Sequence, residues 1–172
     1  TVPVIGLPLA ATTYQGAVGW ILEHAASADR ALAVEAANTH VAALARHDAE
    51  FGRTMERFDL IVPDGMPLVW AINRRLSDTE KLTDRVYGPT LMLETLKATD
   101  GRPEFRHFLL GGKESTLGKL HSVFSEKFPG AAIADTYSPP FGEWPDDEFE
   151  RICERIRSSG AKGLPFSMPM DA

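Results

Sequence analysis

The chain has 172 residues, 44% of them hydrophobic and 24% charged, and 18 Lys and Arg set against 24 Asp and Glu give a net charge of −6. That size provides one domain with a sizeable core and is short for two ordinary ones, while the composition excludes a disordered chain. The negative balance argues against a broad nucleic-acid surface, and no run approaches the 18 apolar residues that a membrane-spanning helix needs.

The elements read as follows along the chain. Val2 to Leu9 is a short strand or hairpin interrupted by Pro3, Gly6 and Pro8. Thr12 and Thr13 offer caps for a helix whose apolar face carries Ala17, Trp20, Ile21 and His24. Ala31 to Ala36 is a short apolar run read as a strand. Asn38 opens a helix with Val41, Leu44 and Ala45, and a second helical stretch from Asp48 to Phe58 follows. Asp59 to Val62 is the clearest strand, ended sharply by Pro63-Asp64-Gly65. Pro67 suits the first turn of the next helix, where its missing N–H costs nothing. Asp78 to Asp84 is a surface loop, and Gly88-Pro89 starts a helix through Leu91, Met92, Leu93 and Leu96. Phe105 to Leu110 is a second strong strand stopping at Gly111-Gly112, and Lys113 to Phe128 is an amphipathic helix. Ala131 to Thr136 is a weaker strand before a proline-rich loop from Tyr137 to Pro145. Asp146 is placed to cap a last helix carrying Phe149, Ile152, Cys153 and Ile156. Strands alternating with helices imply βαβ units, hence an α/β fold with a mostly parallel sheet and helices on both faces.

In such sheets ligands bind beyond the carboxyl ends of the strands, where loops enter helix N-termini. Three loops have that address: Asn38-Thr39-His40, Pro63-Asp64-Gly65-Met66-Pro67 and Gly111-Gly112-Lys113. Gly111-Gly112 lets backbone approach a ligand, and the helix from Lys113 offers free N–H groups to a diphosphate; a strand-to-helix Gly-Gly is equally ordinary turn chemistry. Its spacing is neither that of a P-loop nor that of a dinucleotide fingerprint. Asp64 lies among apolar neighbours that would raise its pKa toward base strength, although Pro-Asp-Gly is also a common turn in which Asp caps the next helix. Arg85 could grip phosphate or simply be solvated, and it shares a short segment with Tyr87 and Gly88. Tyr137 to Phe141 is either an aromatic wall for a base or sugar, or a rigid loop. His24, His47, His107 and His121 show no metal-ligand spacing, no Asp-x-Asp pair occurs, and neither a catalytic metal nor a cofactor is expected. The single Cys153 reads as a small buried hydrophobe.

Taken together, Ala37-Asn38-Thr39-His40, the run Asp59 to Trp70, Arg85-Val86-Tyr87-Gly88-Pro89, Leu109-Leu110-Gly111-Gly112 and Tyr137-Ser138-Pro139-Pro140-Phe141 resemble the WecG/TagA/CpsF family of bacterial glycosyltransferases, in family order over nearly all of residues 4 to 160. The resemblance implies a Rossmann-like core that transfers an N-acetylmannosamine-type sugar, or its uronic acid, from UDP to a polyprenyl-diphosphate-linked acceptor. The products are teichoic acid, enterobacterial common antigen or exopolysaccharide, and the reaction is inverting and metal-independent. It places the family's motif aspartate on Asp64, as general base. Substrate contacts are then expected from Asn38, His40, Gly65, Met66, Pro67, Arg85, Tyr87, Gly88, Gly111, Gly112, Lys113 and Tyr137. A cytoplasmic location follows, peripheral at the inner face of the membrane, with homo-oligomer formation open to it. Ala36 departs from the family, some of whose members have Thr there, and Thr90 stands where Asp usually follows Gly-Pro.

The sharpest departure is the ending. Residues 1–161 read as the glycosyltransferase core, whereas 162–172, with Pro165 and Pro169, read as a divergent tail replacing the family's last strand and C-terminal extension. A truncation or frame change near Lys162 would leave a sheet edge exposed, weaken or abolish activity, and favour self-association. Two other readings follow: an inactive UDP-sugar-binding module, or a different Rossmann-like enzyme such as a nicotinamide-dependent oxidoreductase, which the missing dinucleotide fingerprint disfavours.

Overall fold

The structure is a computed structural model that describes residues 1–27 and 30–161, and the backbone of 164–168. Its contacts divide into two compact units, Thr1–His24 with Ala28–Glu94, and Ala25–Ser27 with Thr95–Ala172. Both are mixed α/β with short parallel sheets, and the described residues hold seven helices and seven strands in the manner of a Rossmann-like fold. None of those helices is long and apolar enough to cross a membrane.

The first unit opens with a hairpin of β1 (Val2–Val4) and β2 (Leu7–Leu9). Val2, Val4, Leu7 and Leu9 point into the core, while Pro3 and Pro8 stand opposite each other on the outer face. Alternation makes Pro3–Pro8 the pair that exchanges no ladder bonds, so two absent N–H groups cost nothing there. Ile5 and Gly6 turn the hairpin with φ of 52° and 92°, the doubly left-handed geometry of a two-residue loop. The prolines that promised to interrupt a strand therefore lie inside it.

Helix α1 (Tyr14–Ser27) starts after Thr13, whose hydroxyl accepts the Gly16 N–H at 3.3 Å. Strands β3 (Val34–Ala37) and β4 (Leu60–Pro63) run parallel, with Val34 opposite Leu60 and Ala37 opposite Pro63. The expected strand from Ala31 begins three residues later because Asp59 captures the preceding segment. Its carboxylate takes the Arg30 guanidinium and, at 2.9 Å, the Ala33 N–H, and the Ala33 carbonyl takes the N–H groups of Asp59 and Leu60. Asn38 caps α2 (Thr39–His47) by accepting the Val41 N–H at 3.0 Å, and Asp48 caps α3 (Ala49–Met55) through the amides of Glu50 and Phe51. Helix α4 (Met66–Asn73) follows β4 with proline in its first turn. Its Leu68 and Ile72 join the hairpin residues, Ala37, Ala42, Met55 and Ile61 in one core. Asn73 then grips the main chain of Leu82 with two 2.8 Å bonds, closing the polar loop and returning the chain to the end of β4. Helix α5 (Gly88–Ala98) begins there.

The second unit is built on β5 (Arg106–Gly111), flanked in parallel by β6 (Ala132–Tyr137) and β7 (Leu164–Met168). His107, Phe108 and Leu109 of this central strand are fully buried. Helix α6 (Glu114–Lys127) inserts Leu117 and Phe124, and α7 (Glu148–Ser158) inserts Ile152.

Two sequence expectations change here. The strand thought to be missing is present: β7 pairs with β5 from His107–Leu164 to Gly111–Met168, so the edge expected to lie bare is covered. Pro165 is accommodated because β7 is an edge strand, where proline need not break the sheet. Of the tail 162–172, residues 162–163 and 169–172 lie outside the described residues. The last helix is capped at Asp147, not Asp146, and without a side-chain cap bond; Asp147 instead pairs with Arg151 at 3.1 Å. That start turns Phe149 outward, 67% exposed, and buries Glu148 in its place.

Candidate functional site

In the first unit the parallel strands β3 and β4 end side by side, and the main chain locks their ends together. The Asp64 N–H donates to the Ala37 carbonyl at 2.8 Å, so the loop after β4 starts from the last residue of β3. Asn38 comes next. Its Oδ1 is committed to capping α2, while its Nδ2 has no partner among the described residues. His40 is exposed in the first turn of α2. Gly65 is the N-cap of α4 in extended conformation, Met66 is half-buried and Pro67 exposed.

The segment Arg85–Gly88 crosses this loop under unusual restraint. Its four successive amides all have acceptors: Arg85 N–H donates to Asp84 Oδ1 at 2.7 Å, Val86 N–H to the Pro63 carbonyl at 2.9 Å, Tyr87 N–H to the Tyr14 hydroxyl at 3.0 Å, and Gly88 N–H to Asp64 Oδ2 at 3.2 Å. Val86 is buried and anchors the segment, whereas Arg85 and Tyr87 are exposed, the guanidinium 4.9 Å from the phenol ring centre. Close approach favours glycine at 88: a Cβ there would lie a tight 3.3 Å from Ala36 Cβ and in ordinary contact, 3.8 Å, with Asp64 Oδ2.

Asp64 is half-buried. Loss of solvent raises its pKa above the ordinary carboxylate value and outweighs the Gly88 N–H and the Arg85 charge, which pull it down. Oδ2 is held by Gly88, and Oδ1 has no hydrogen-bond partner among the described residues. The carboxylate is thus oriented by one oxygen and available through the other. Glu35 on β3 is raised too, first by burial and then by the charge of Asp64. Sequence reasoning passed over Glu35 and Tyr14. The signal for Glu35 was visible, a lone acid inside Ala31-Leu32-Ala33-Val34-Glu35-Ala36-Ala37; for Tyr14 no local signal exists.

Nine of the predicted site residues, Asn38, His40, Asp64, Gly65, Met66, Pro67, Arg85, Tyr87 and Gly88, belong to the first unit; Gly111, Gly112, Lys113 and Tyr137 belong to the second. Gly111 and Gly112 have φ of 95° and 69°, a left-handed pair that carries β5 into α6 and favours glycine at both positions. Lys113 is the exposed N-cap of α6 without a side-chain cap bond. The Gly112 carbonyl accepts the Ser138 hydroxyl at 2.6 Å, tying the proline-rich loop to the glycine turn. Tyr137 donates its hydroxyl to buried Glu148 at 2.6 Å, which pushes the phenol pKa up, and its ring lies 4.8 Å beneath the Arg155 guanidinium. In this structure that phenol serves the unit's own packing. No three His, Cys, Asp or Glu side chains among the described residues are grouped to hold a metal ion.

Against known proteins, the model of the glycosyl transferase WecG/TagA/CpsF family matches residues 2–171. Among curated proteins, none matches the chain.

Proposed function

The chain belongs to the WecG/TagA/CpsF family of glycosyl transferases, and from that premise we propose that Asp64 is the general base of its transfer reaction. Membership makes it a glycosyltransferase of cell-surface polysaccharide synthesis. The finer reading is that an N-acetylmannosamine-type sugar passes from UDP to a polyprenyl-diphosphate-linked acceptor with inversion and without a metal.

The observation that carries this reading is the state of one carboxylate. Asp64 sits at the carboxyl end of a parallel strand, has a pKa raised by burial, and keeps one oxygen on the Gly88 N–H with the other unpartnered among the described residues. A base so placed takes the proton of the acceptor hydroxyl as that oxygen bonds to the anomeric carbon. The bond from that carbon to the UDP oxygen breaks, and UDP departs with the electron pair. Arg85 is the cation of this unit suited to the developing diphosphate charge, and Asn38 and His40 to sugar hydroxyls. In the second unit Gly111, Gly112 and Lys113 stand as candidate phosphate contacts through the glycine turn and the N-terminus of α6. A lipid-linked acceptor would bring the enzyme to the inner membrane face as a peripheral protein. One ground for the inactive-module reading, a missing strand beside β5, is removed by β7, which takes that place.

The test is a UDP-sugar panel with a soluble polyprenyl-diphosphate acceptor analogue, run on wild type and Asp64→Asn. The variant should fold and lose roughly 10²- to 10⁴-fold in kcat, the usual contribution of a general base. Equal rates would remove Asp64 from the mechanism.

A further inference from the structure

We propose that Tyr14 is a positioning residue for the transfer reaction: its hydroxyl, by holding the Tyr87 amide, keeps the Gly88 amide on Asp64 Oδ2 and so aims Oδ1 at the acceptor. The inference rests on the reading of Asp64 as base.

The argument is geometric. Tyr14 is the first residue of α1, half-buried and fixed there by the Thr13 cap. Its oxygen accepts from a residue 73 positions later in the chain. The flanking amides of Val86 and Gly88 reach Pro63 and Asp64, adjacent residues at the end of β4. Three consecutive N–H groups therefore meet three separate anchors. Of these anchors only the Tyr14 hydroxyl lies outside the motif and can be deleted without touching the loop or the base. Without it the Tyr87 amide turns to water, the turn into α5 loosens, and the 3.2 Å bond that orients the carboxylate is the first to go. The ring can remain where it is. Positioning a base in this way acts on the chemical step more than on donor binding.

The charged groups around Asp64 are Arg85 on the crossing segment and Glu35 on β3, and neither changes in Tyr14→Phe. The expected result is a kcat lowered about 3- to 10-fold, the worth of one hydrogen bond, with KM for the UDP-sugar within twofold. The acid limb of the kcat profile should move to higher pH, because the Gly88 bond that favours the charged carboxylate is weakened. Asp64→Asn is measured in parallel. If Asp64→Asn is inactive while Tyr14→Phe keeps the wild-type kcat and acid limb, the positioning role is overturned and the base stands. If Asp64→Asn is fully active, both fall. Amide hydrogen exchange on the wild-type protein gives a second test that no variant's folding can spoil. Protection of the Tyr87 and Gly88 amides together supports the proposal, and free exchange at Tyr87 overturns it.

Discussion

Ionising Asp64 in the folded chain opposes stability, because its proton is held more tightly there than in the unfolded chain. A carboxyl whose folded pKa is raised contributes stability that is complete below the unfolded value and is lost as pH rises through the folded one. Glu35 carries the same burden, part of it from Asp64 itself. Asp64→Asn should therefore melt at a higher temperature than wild type at pH 7, and that advantage should vanish as pH falls below the carboxylate range. In the same variant the Glu35 carboxyl, followed by carbon-detected NMR, should titrate at lower pH than in wild type. A Glu35 curve that does not move would show the two acids to be independent. His107 works in the opposite direction of pH. Burial in β5 pushes its pKa down to about 4, with Nε2 2.7 Å from the Thr99 hydroxyl. The unfolded imidazole takes a proton near pH 6.5 while the folded one refuses it, so stability is level above that value and falls between it and pH 4. The loss amounts to about 3 kcal/mol. Urea midpoints measured across this window should show the slope in wild type and a shallower one in His107→Leu.

At the scale of elements, the hairpin turn holds the clearest local misfit. Ile5 is β-branched, 48% exposed and left-handed at φ 52°, where asparagine before glycine is preferred. Ile5→Asn should stabilise the protein by roughly 1 kcal/mol; a lower melting temperature would mean that the exposed isoleucine is doing something the hairpin does not need. Much of the element pattern was legible in the sequence for plain reasons. Leu60-Ile61-Val62-Pro63 is apolar and abruptly punctuated, Asn38 and Asp48 are strong caps, and Gly111-Gly112 marks the end of β5. What was misread depended on partners far away. β3 starts late because Asp59 holds residues 30 and 33, and α7 turns Glu148 inward because Tyr137 and Arg151 meet its carboxylate. The site shows the same division. Asp64 and Gly88 stand out as motif residues, yet that one donates to the other, and that Tyr14 steadies the pair, depends on chain returns of 24 and 73 positions that no local pattern records.

For the whole molecule, each unit holds one parallel sheet, beside an antiparallel hairpin in the first, and in the second the middle strand relies on neighbours at both edges. The segment read from sequence as a stray tail supplies one of them. Ending the chain after Gly160 would strip β5 of its β7 partner along the five paired positions from His107 to Gly111. Such a variant should unfold at lower temperature and scatter light at concentrations where the full chain stays clear, since an open edge recruits other chains. Equal melting and equal clarity would mean that β7 adds nothing to the sheet.

Main-chain donors fix the Arg85–Gly88 crossing, and among ordinary substitutions only proline deletes a backbone N–H. The outward side chain at 87 can therefore be exchanged by an engineer retuning substrate preference while the hydrogen bond to the acid stays, whereas exchanging Arg85 keeps that bond and removes a charge that lowers the Asp64 pKa.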